Sequence, residues 1–358
     1  MANADIRIKS YDKLVTPGEL SKELPLTKEI ESKIEESRRV VNAILRGEDD
    51  RLLAIVGPCS IHDPKAAMEY AIKLKALSDK ISDKIYVVMR TYFEKPRTVG
   101  GWKGLIIDPD LDGSYDIEKG LKVARKLLIN IVSLGLPVGC EVLDPVVPQY
   151  IDELMSWSAI GARTTESQTH RNITSGLSVA VGFKNSTNGG ILNAINAIKS
   201  ARLPAAFIGV DRSGLTAVIR TKGNDLGHLI LRGGEKAPNY YEDDVEHAKV
   251  LMKKNNVDAS VIIDCSHANS GKNCHRQARV LRSVVDQVLW GESSIKGFMI
   301  ESNLYEGNQK IDEDLSKLKY GVSVTDECIS FEETDRILLK VYSLLKRAER
   351  DETLSRPL

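Results

Sequence analysis

The chain has 358 residues, 42% hydrophobic and 28% charged, a composition that supports a large buried core and excludes a disordered polymer. Lys plus Arg and Asp plus Glu both number 50, so the formal net charge is zero and no global charge draws the molecule to nucleic acid or a membrane surface. The five cysteines (Cys59, Cys140, Cys265, Cys274 and Cys328) show no CxxC spacing, which excludes a zinc ribbon and argues against a disulfide framework.

Met1 to Ser10 is polar and lacks the apolar segment of a secretory signal, and no stretch reaches the ~20 apolar residues of a membrane span. A cytoplasmic location is the expectation. Residues 1–48 read as an N-terminal extension, in which Thr27 caps a helix running to Arg46 and Gly47 stops it. Leu52 to Cys59 is an apolar run, and Ala66 to Leu77 has helical spacing, so the two make a first strand–helix unit. Ile85 to Arg90 is the second run. The long loop after it carries Lys95, Pro96, Arg97 and Thr98, and its length and basic residues point to function.

A helix over Ile117 to Leu134, stopped by Gly135, precedes the runs Pro137 to Glu141, Ala159 to Arg163 and Val179 to Lys184. Two strand-like runs within 205–221 flank Asp211-Arg-Ser-Gly and predict an inserted hairpin. His228 to Arg232, Val261 to His267 and Gly297 to Glu301 follow, then an amphipathic helix from Asp326 to Lys346 and a loose tail over 351–358. Strands buried on both faces read as such continuous apolar runs. Each run ends on a residue able to bind an anion or a metal, which places the functional groups on one rim. The prediction is an α/β fold, a (β/α)8 TIM barrel over residues 49–350 with its site at the strand C-termini.

The cations Arg90, Lys95, Arg97, Arg163, Lys184 and Arg232 lie on or just beyond different strand ends. Singly, each could pair with a barrel acid or reach solvent. Together they predict phosphate and carboxylate ligands, because unpaired buried charge costs several kcal/mol. Cys59, His267, Glu301 and Asp326 are metal candidates whose S, N and O donors suit Mn, Fe, Co or Zn. A strand-end Cys is also what a small buried hydrophobe looks like, and Glu301 could instead pair with Lys184 or Arg232. No GxGxxG or P-loop sequence is present.

Gly57-Pro-Cys-Ser-Ile-His-Asp, Phe93-Glu-Lys-Pro-Arg-Thr, Gly161-Ala-Arg-Thr-Thr-Glu-Ser-Gln, Val181-Gly-Phe-Lys-Asn, Ile230-Leu-Arg-Gly-Gly, Asp264-Cys-Ser-His and Glu301-Ser-Asn-Leu-Tyr-Glu-Gly-Asn-Gln occur in that order. On these strings, from about Leu14 to Lys346, the chain resembles the type I 3-deoxy-D-arabino-heptulosonate 7-phosphate (DAHP) synthases of the shikimate pathway. The resemblance implies condensation of phosphoenolpyruvate with erythrose 4-phosphate and water. By it, Arg90, Lys95, Arg163, Lys184 and Arg232 bind phosphoenolpyruvate, and Lys95, Pro96, Arg97 and Thr98 bind erythrose 4-phosphate. Cys59, His267, Glu301 and Asp326 match the divalent metal ligands, and Lys95, Cys59 and His267 are the catalytic expectations. Asn185-Ser-Thr-Asn-Gly and Cys140 depart from the family's usual Asn-Gly-Thr-Asp-Gly and Thr or Ser, which bears on local geometry.

The extension and hairpin further imply regulation by an aromatic amino acid and a homodimer or homotetramer, with the N-terminal segment on a neighbouring subunit. The expected inhibitor pocket comprises Asp144, Pro148, Gln149, Ile173, Leu177, Ser178, Phe207, Gly209 and Ile219. Gly209, where phenylalanine-sensitive enzymes carry Ser, leaves room for a phenolic hydroxyl and points to tyrosine. Cys328 is a candidate partner for Cys59 on oxidation, against the plainer expectation of a buried thiol. The alternatives are a related synthase using arabinose 5-phosphate, a Schiff-base aldolase with Lys184 as nucleophile, and a non-catalytic tyrosine-sensing barrel.

Overall fold

Ten strands and ten α-helices make up the computed structural model, which describes residues 4–97 and 99–355, with only the backbone of 350–355. The extension contributes α1 (Pro17–Glu23) and α2 (Lys28–Arg46). Thr16 caps α1 with its hydroxyl on the backbone N–H of Glu19, and Thr27 caps α2 on that of Ile30. Gly47, at φ 75°, ends α2 in the left-handed region.

Then follow β1 (Leu52–Gly57), α3 (Pro64–Ile81), β2 (Ile85–Arg90), α4 (Ile117–Ser133), β3 (Val138–Glu141), α5 (Pro148–Ile151), β4 (Trp157–Ile160), α6 (Gln168–Thr174), β5 (Ala180–Lys184) and α7 (Leu192–Ala201). The hairpin strands β6 (Ala206–Val210) and β7 (Thr216–Arg220) come next. The chain is completed by β8 (Gly227–Leu231), α8 (Glu242–Lys254), β9 (Val261–Asp264), α9 (Gln277–Leu289), β10 (Ile295–Glu301) and α10 (Phe331–Ser355). Eight parallel strands close in the order β1-β10-β9-β8-β5-β4-β3-β2, while β6 and β7 pair only with each other. The expected (β/α)8 barrel with an inserted antiparallel hairpin is therefore present.

Two apolar layers hold the barrel. Outside it, the strands bury Val56, Val87, Phe183 and Ile300 against the helices. Inside it, Leu53, Ile55, Val88, Trp157, Ile230, Ile262 and Met299 pack together, and α2 closes the floor with Val41, Ile44 and Leu45. Each fully buried aliphatic side chain is worth about 1.5–3 kcal/mol by transfer. Arg38 ties α2 to the β3–β4 region by donating to the Asp152 and Met155 carbonyls at 2.7 and 2.9 Å. Inside the barrel Trp157 Nε1 donates to His228 Nε2 at 3.0 Å, and burial drives the His228 imidazole down to about 4, so it is neutral.

Two boundaries differ from the expectation. The last helix begins at Phe331 instead of Asp326, because residues 303–329 form a loop bridged to the end of β10 at Ser302–Ile329 and closed on itself at Gly307–Cys328. That loop leaves Asp326 free to face the mouth. The same helix runs on to Ser355, into the 351–358 segment where a loose tail was expected, and residues 356–358 lie outside the described residues. The extension also packs on its own barrel: Leu20, Ile30 and Ile34 are buried there, whereas residues 4–14 are exposed.

Candidate active site

The strand C-termini open into one cavity of about 570 Å³, within the range of small-molecule sites. Arg90, Lys95, Pro96, Arg97, Arg163, Lys184, Arg232, His267 and Asp326 all line it, as does Glu141. Thr98 lies outside the described residues. The expected cation ring thus converges.

Arg90 is buried beneath the cavity. Its Nη2 meets Glu301 at 2.7 Å, its Nε donates to the Pro58 carbonyl at 3.0 Å, and the guanidinium stacks 3.7 Å over the Tyr92 ring. Glu301 therefore pairs with Arg90, not with Lys184 or Arg232 as the sequence had left open. Nη1 of Arg90 is buried without a hydrogen-bond acceptor, a donor an anion in the cavity would satisfy. Lys184 pairs with Asp264 at 2.9 Å. Arg97, Arg163, Arg232 and Lys95 have no carboxylate within ion-pair distance among the described residues. Burial and then the nearby Arg163 weaken the charged form of Arg232, although Asp264 partly offsets both. An anion between these two arginines would relieve the repulsion.

The loop after β2 is ordered by its own packing. Phe93, Trp102, Leu105 and Ile106 are buried, and Trp102 Nε1 donates to the Asp108 carbonyl at 2.8 Å. Gly104, at φ 113°, passes so close to the Phe93 carbonyl that any Cβ would lie 2.0 Å from it. Lys95 follows this anchor and places its Nζ 3.1 Å from both the Cys59 carbonyl and the Cys59 Sγ. Burial disfavours the Lys95 ammonium, but Cys59, Glu301 and Glu141 outweigh it and raise its pKa. Glu141, whose role the sequence left open, is thus an electrostatic partner of Lys95.

Cys59 Sγ and the carboxylates of Glu301 and Asp326 present atoms that all lie within 4.8 Å of one another. Asp326 reaches this point because its neighbour Thr325 bonds Ser60 at 2.6 Å, pinning the loop to the end of β1. His267 stands beside the trio and not within it: Nε2 is 3.8 Å from Glu301, while Nδ1 is 2.9 Å from Asp264. Engagement of Nδ1 leaves Nε2 for a metal, the usual carboxylate–imidazole arrangement of metal sites. His267 holds φ 53°, a left-handed conformation that aims the ring inward and costs of order 1–3 kcal/mol. Burial and Glu301 raise the Cys59 thiol, and Lys95 only partly opposes them. Burial also opposes charge on Glu301, but His267, Arg90 and Lys95 bring it down to about 2. These donors fit one divalent ion of borderline softness.

Several functional positions escaped the sequence reading. Asp264, the last residue of β9, holds both Lys184 and His267, and a polar residue ending an apolar run was the signal for it. Asn185 accepts from the Arg232 backbone N–H at 2.8 Å and donates to the Gly233 carbonyl at 3.0 Å, fixing Arg232. Lys272 also lines the cavity. The two departures settle harmlessly: Ser186 donates to Glu166 at 2.8 Å, and Cys140 Sγ sits 3.1 Å from Thr91 Oγ1.

Away from the mouth, Phe207 and Ile219 are cross-strand neighbours on the hairpin, and α6 packs against β6 near Ile173. Asp144 caps the turn before α5, which holds Pro148 and Gln149, by accepting from Val146 N–H at 2.7 Å. Leu177 and Ser178 lie between α6 and β5. A Cβ on Gly209 would come 2.4 Å from the Ile219 Cδ1 tip. The hairpin turn also meets the extension, where Gly18 N–H donates to the Arg212 carbonyl at 2.8 Å.

The model of the DAHP synthetase I family matches residues 27–339. The Tyr-sensitive phospho-2-dehydro-3-deoxyheptonate aldolase of Salmonella typhimurium is 52% identical over 94% of this chain and 95% of its own. The Phe-sensitive enzyme of Escherichia coli is 49% identical over 96% and 98%. The solved structure of the Francisella tularensis phospho-2-dehydro-3-deoxyheptonate aldolase superposes with a TM-score of 0.91 at 48% identity, covering 94% of this chain and 98% of that one.

Proposed function

The chain belongs to the DAHP synthetase I family, and from that premise we propose how its barrel mouth works as a phospho-2-dehydro-3-deoxyheptonate aldolase. The enzyme condenses phosphoenolpyruvate with erythrose 4-phosphate and water, releasing DAHP and phosphate. The observation that carries the assignment of residues is the convergence of Arg90, Lys95, Arg97, Arg163, Lys184 and Arg232 on one cavity, where among the described residues Arg90 and Lys184 alone make direct ion pairs.

Arg90, Arg163, Lys184 and Arg232, with Lys95, hold phosphoenolpyruvate through its carboxylate and phosphate; the forked guanidinium suits both groups. Lys95, Pro96, Arg97 and Thr98 hold erythrose 4-phosphate. Cys59, His267, Glu301 and Asp326 hold one divalent ion, Mn, Fe, Co or Zn, which when bound supplies Lewis acidity toward a carbonyl or water oxygen. C3 of phosphoenolpyruvate attacks the aldehyde carbon, and the aldehyde oxygen gains the negative charge. Lys95, kept as an ammonium beside Cys59, stabilises that charge and delivers the proton. The attack leaves C2 electron-deficient; water adds there and gives one proton to the Lys95 amine, and the C2–O bond to phosphate then breaks with the bonding pair leaving on phosphate, which takes the hydroxyl proton as C2=O forms. Arg163 and Arg232 meet the departing charge. Lys184 is engaged by Asp264 instead of being presented as a free amine, which disfavours the Schiff-base alternative.

Tyrosine is the inhibitor, bound among Asp144, Pro148, Gln149, Ile173, Leu177, Ser178, Phe207, Gly209 and Ile219. The names of the 52% identical relatives support this reading. The enzyme works as a homodimer or homotetramer, for which the exposed Ile208, Leu215 and Val218 of the hairpin are the supporting surface. No helix of the described residues is long and apolar enough to cross a membrane, and the free thiols support a reducing cytoplasm.

The test is loss of phosphoenolpyruvate in the presence of erythrose 4-phosphate, with and without chelator. Turnover should vanish on chelation and return with Mn. Turnover with arabinose 5-phosphate in preference to erythrose 4-phosphate, or none with either, would sink the proposal.

A further inference from the structure

A second group of metal-ligating side chains stands outside the mouth of the barrel. Cys274 and His275 open a 3-10 turn, Cys274–Arg276, where Asn273 accepts from the His275 backbone N–H at 3.0 Å. Glu306 arrives from the loop after β10. The Cys274 Sγ, a His275 ring nitrogen and a Glu306 carboxylate oxygen all lie within 4.8 Å of one another. His275 Nε2 and Glu306 Oε1 are 3.4 Å apart. Two such donors around a tetrahedral ion at ~2.0–2.1 Å are about 3.3 Å apart, so this edge of the site is already set. Cys274 is 4% exposed, and Glu327 lines the same small cavity. Burial and the charges of Glu327 and Glu306 push that thiol up to about 11. A bound cation would reverse the cost of all three negative groups. His275 and Glu306 face solvent, which gives an ion its entry.

We propose that Cys274, His275 and Glu306 form a second site for a thiophilic divalent cation such as zinc, separate from the Cys59 group. Thiolate, imidazole and carboxylate together select for Zn over Mg or Ca. As the sulfur–metal bond forms, the Cys274 thiol gives its proton to solvent. A small cavity lined by His267, Cys274, Glu301, Asp326 and Glu327 joins this site to the first one.

Two measurements on the full-length protein test the proposal. Zinc content after equilibration and desalting should be two per chain in the wild type and one in the surface double variant H275Q/E306Q, where no core residue is disturbed. Cobalt titration of Cys59→Ala should still give the sulfur-to-cobalt charge-transfer band, and adding Cys274→Ser should abolish it. One zinc per chain in both proteins, or a cobalt band that survives Cys274→Ser, would overturn it. Loss of the inner site alone reads differently, since it leaves the Cys59→Ala band in place.

Discussion

Glu301 sits at the junction of the charges that make the mouth, beside Arg90, His267 and Lys95, and its carboxyl is held down to about 2 from an ordinary 4.5. A lowered folded-state pKa contributes stability above the unfolded value and loses it as pH falls through the folded one. Metal-free protein should therefore lose stability between about pH 4.5 and about 2, and E301Q should lack Glu301's share of that loss. Urea midpoints across this window check it, and parallel slopes for the two proteins would refute the reading. Lys184 offers a second test. Lys184→Met removes the lysine partner of a fully buried Asp264 and leaves it with His267 and the Ser266 backbone N–H and hydroxyl. Breaking such a pair costs about 3–5 kcal/mol, so the denaturation midpoint should drop sharply even before activity is assayed.

At the scale of elements, α2 and the hairpin carry separable tasks. α2 seals the barrel floor with Ile44 fully buried against Leu53 and its neighbours. Ile44→Ala should destabilise by about 2–5 kcal/mol while leaving kcat close to wild type at moderate temperature, because the floor lies opposite the catalytic rim. A large fall in kcat with unchanged stability would contradict this division. The hairpin carries Gly209, whose missing Cβ faces the flexible tip of Ile219. A serine there forces Ile219 to turn and fills the space proposed for the tyrosine hydroxyl. Gly209→Ser should weaken inhibition by tyrosine at least tenfold and favour phenylalanine, an inversion readable from two inhibition curves; unchanged tyrosine inhibition would reject the pocket.

At the scale of the whole molecule, the proposed regulation is assigned to the extension, which packs on its own barrel. Removing residues 1–30 would also delete Leu20 and Ile30 from the core, so the informative truncation removes residues 1–13 and keeps Val15, whose carbonyl accepts from Tyr150 at 2.7 Å. That truncation should relieve feedback inhibition and preserve turnover; retained inhibition would place the signal elsewhere. Much of this molecule was legible in its order of residues. Runs such as Ile85–Arg90 and caps such as Thr27 and Gly47 specify strands and helices because burial on both faces and chain-end hydrogen bonding are local demands. The polar residue ending each run marked the rim, on which the candidate cations and donors stand. Pairing was not legible. That Glu301 answers Arg90, that Asp264 holds both Lys184 and His267, and that Cys274 stands with Glu306 depend on barrel closure, which joins strand ends far apart in the chain. Local sequence determined which groups reach the rim; tertiary structure decided which of them neutralise one another and which remain for ligands, because electrostatic interaction depends on distance in space and on burial.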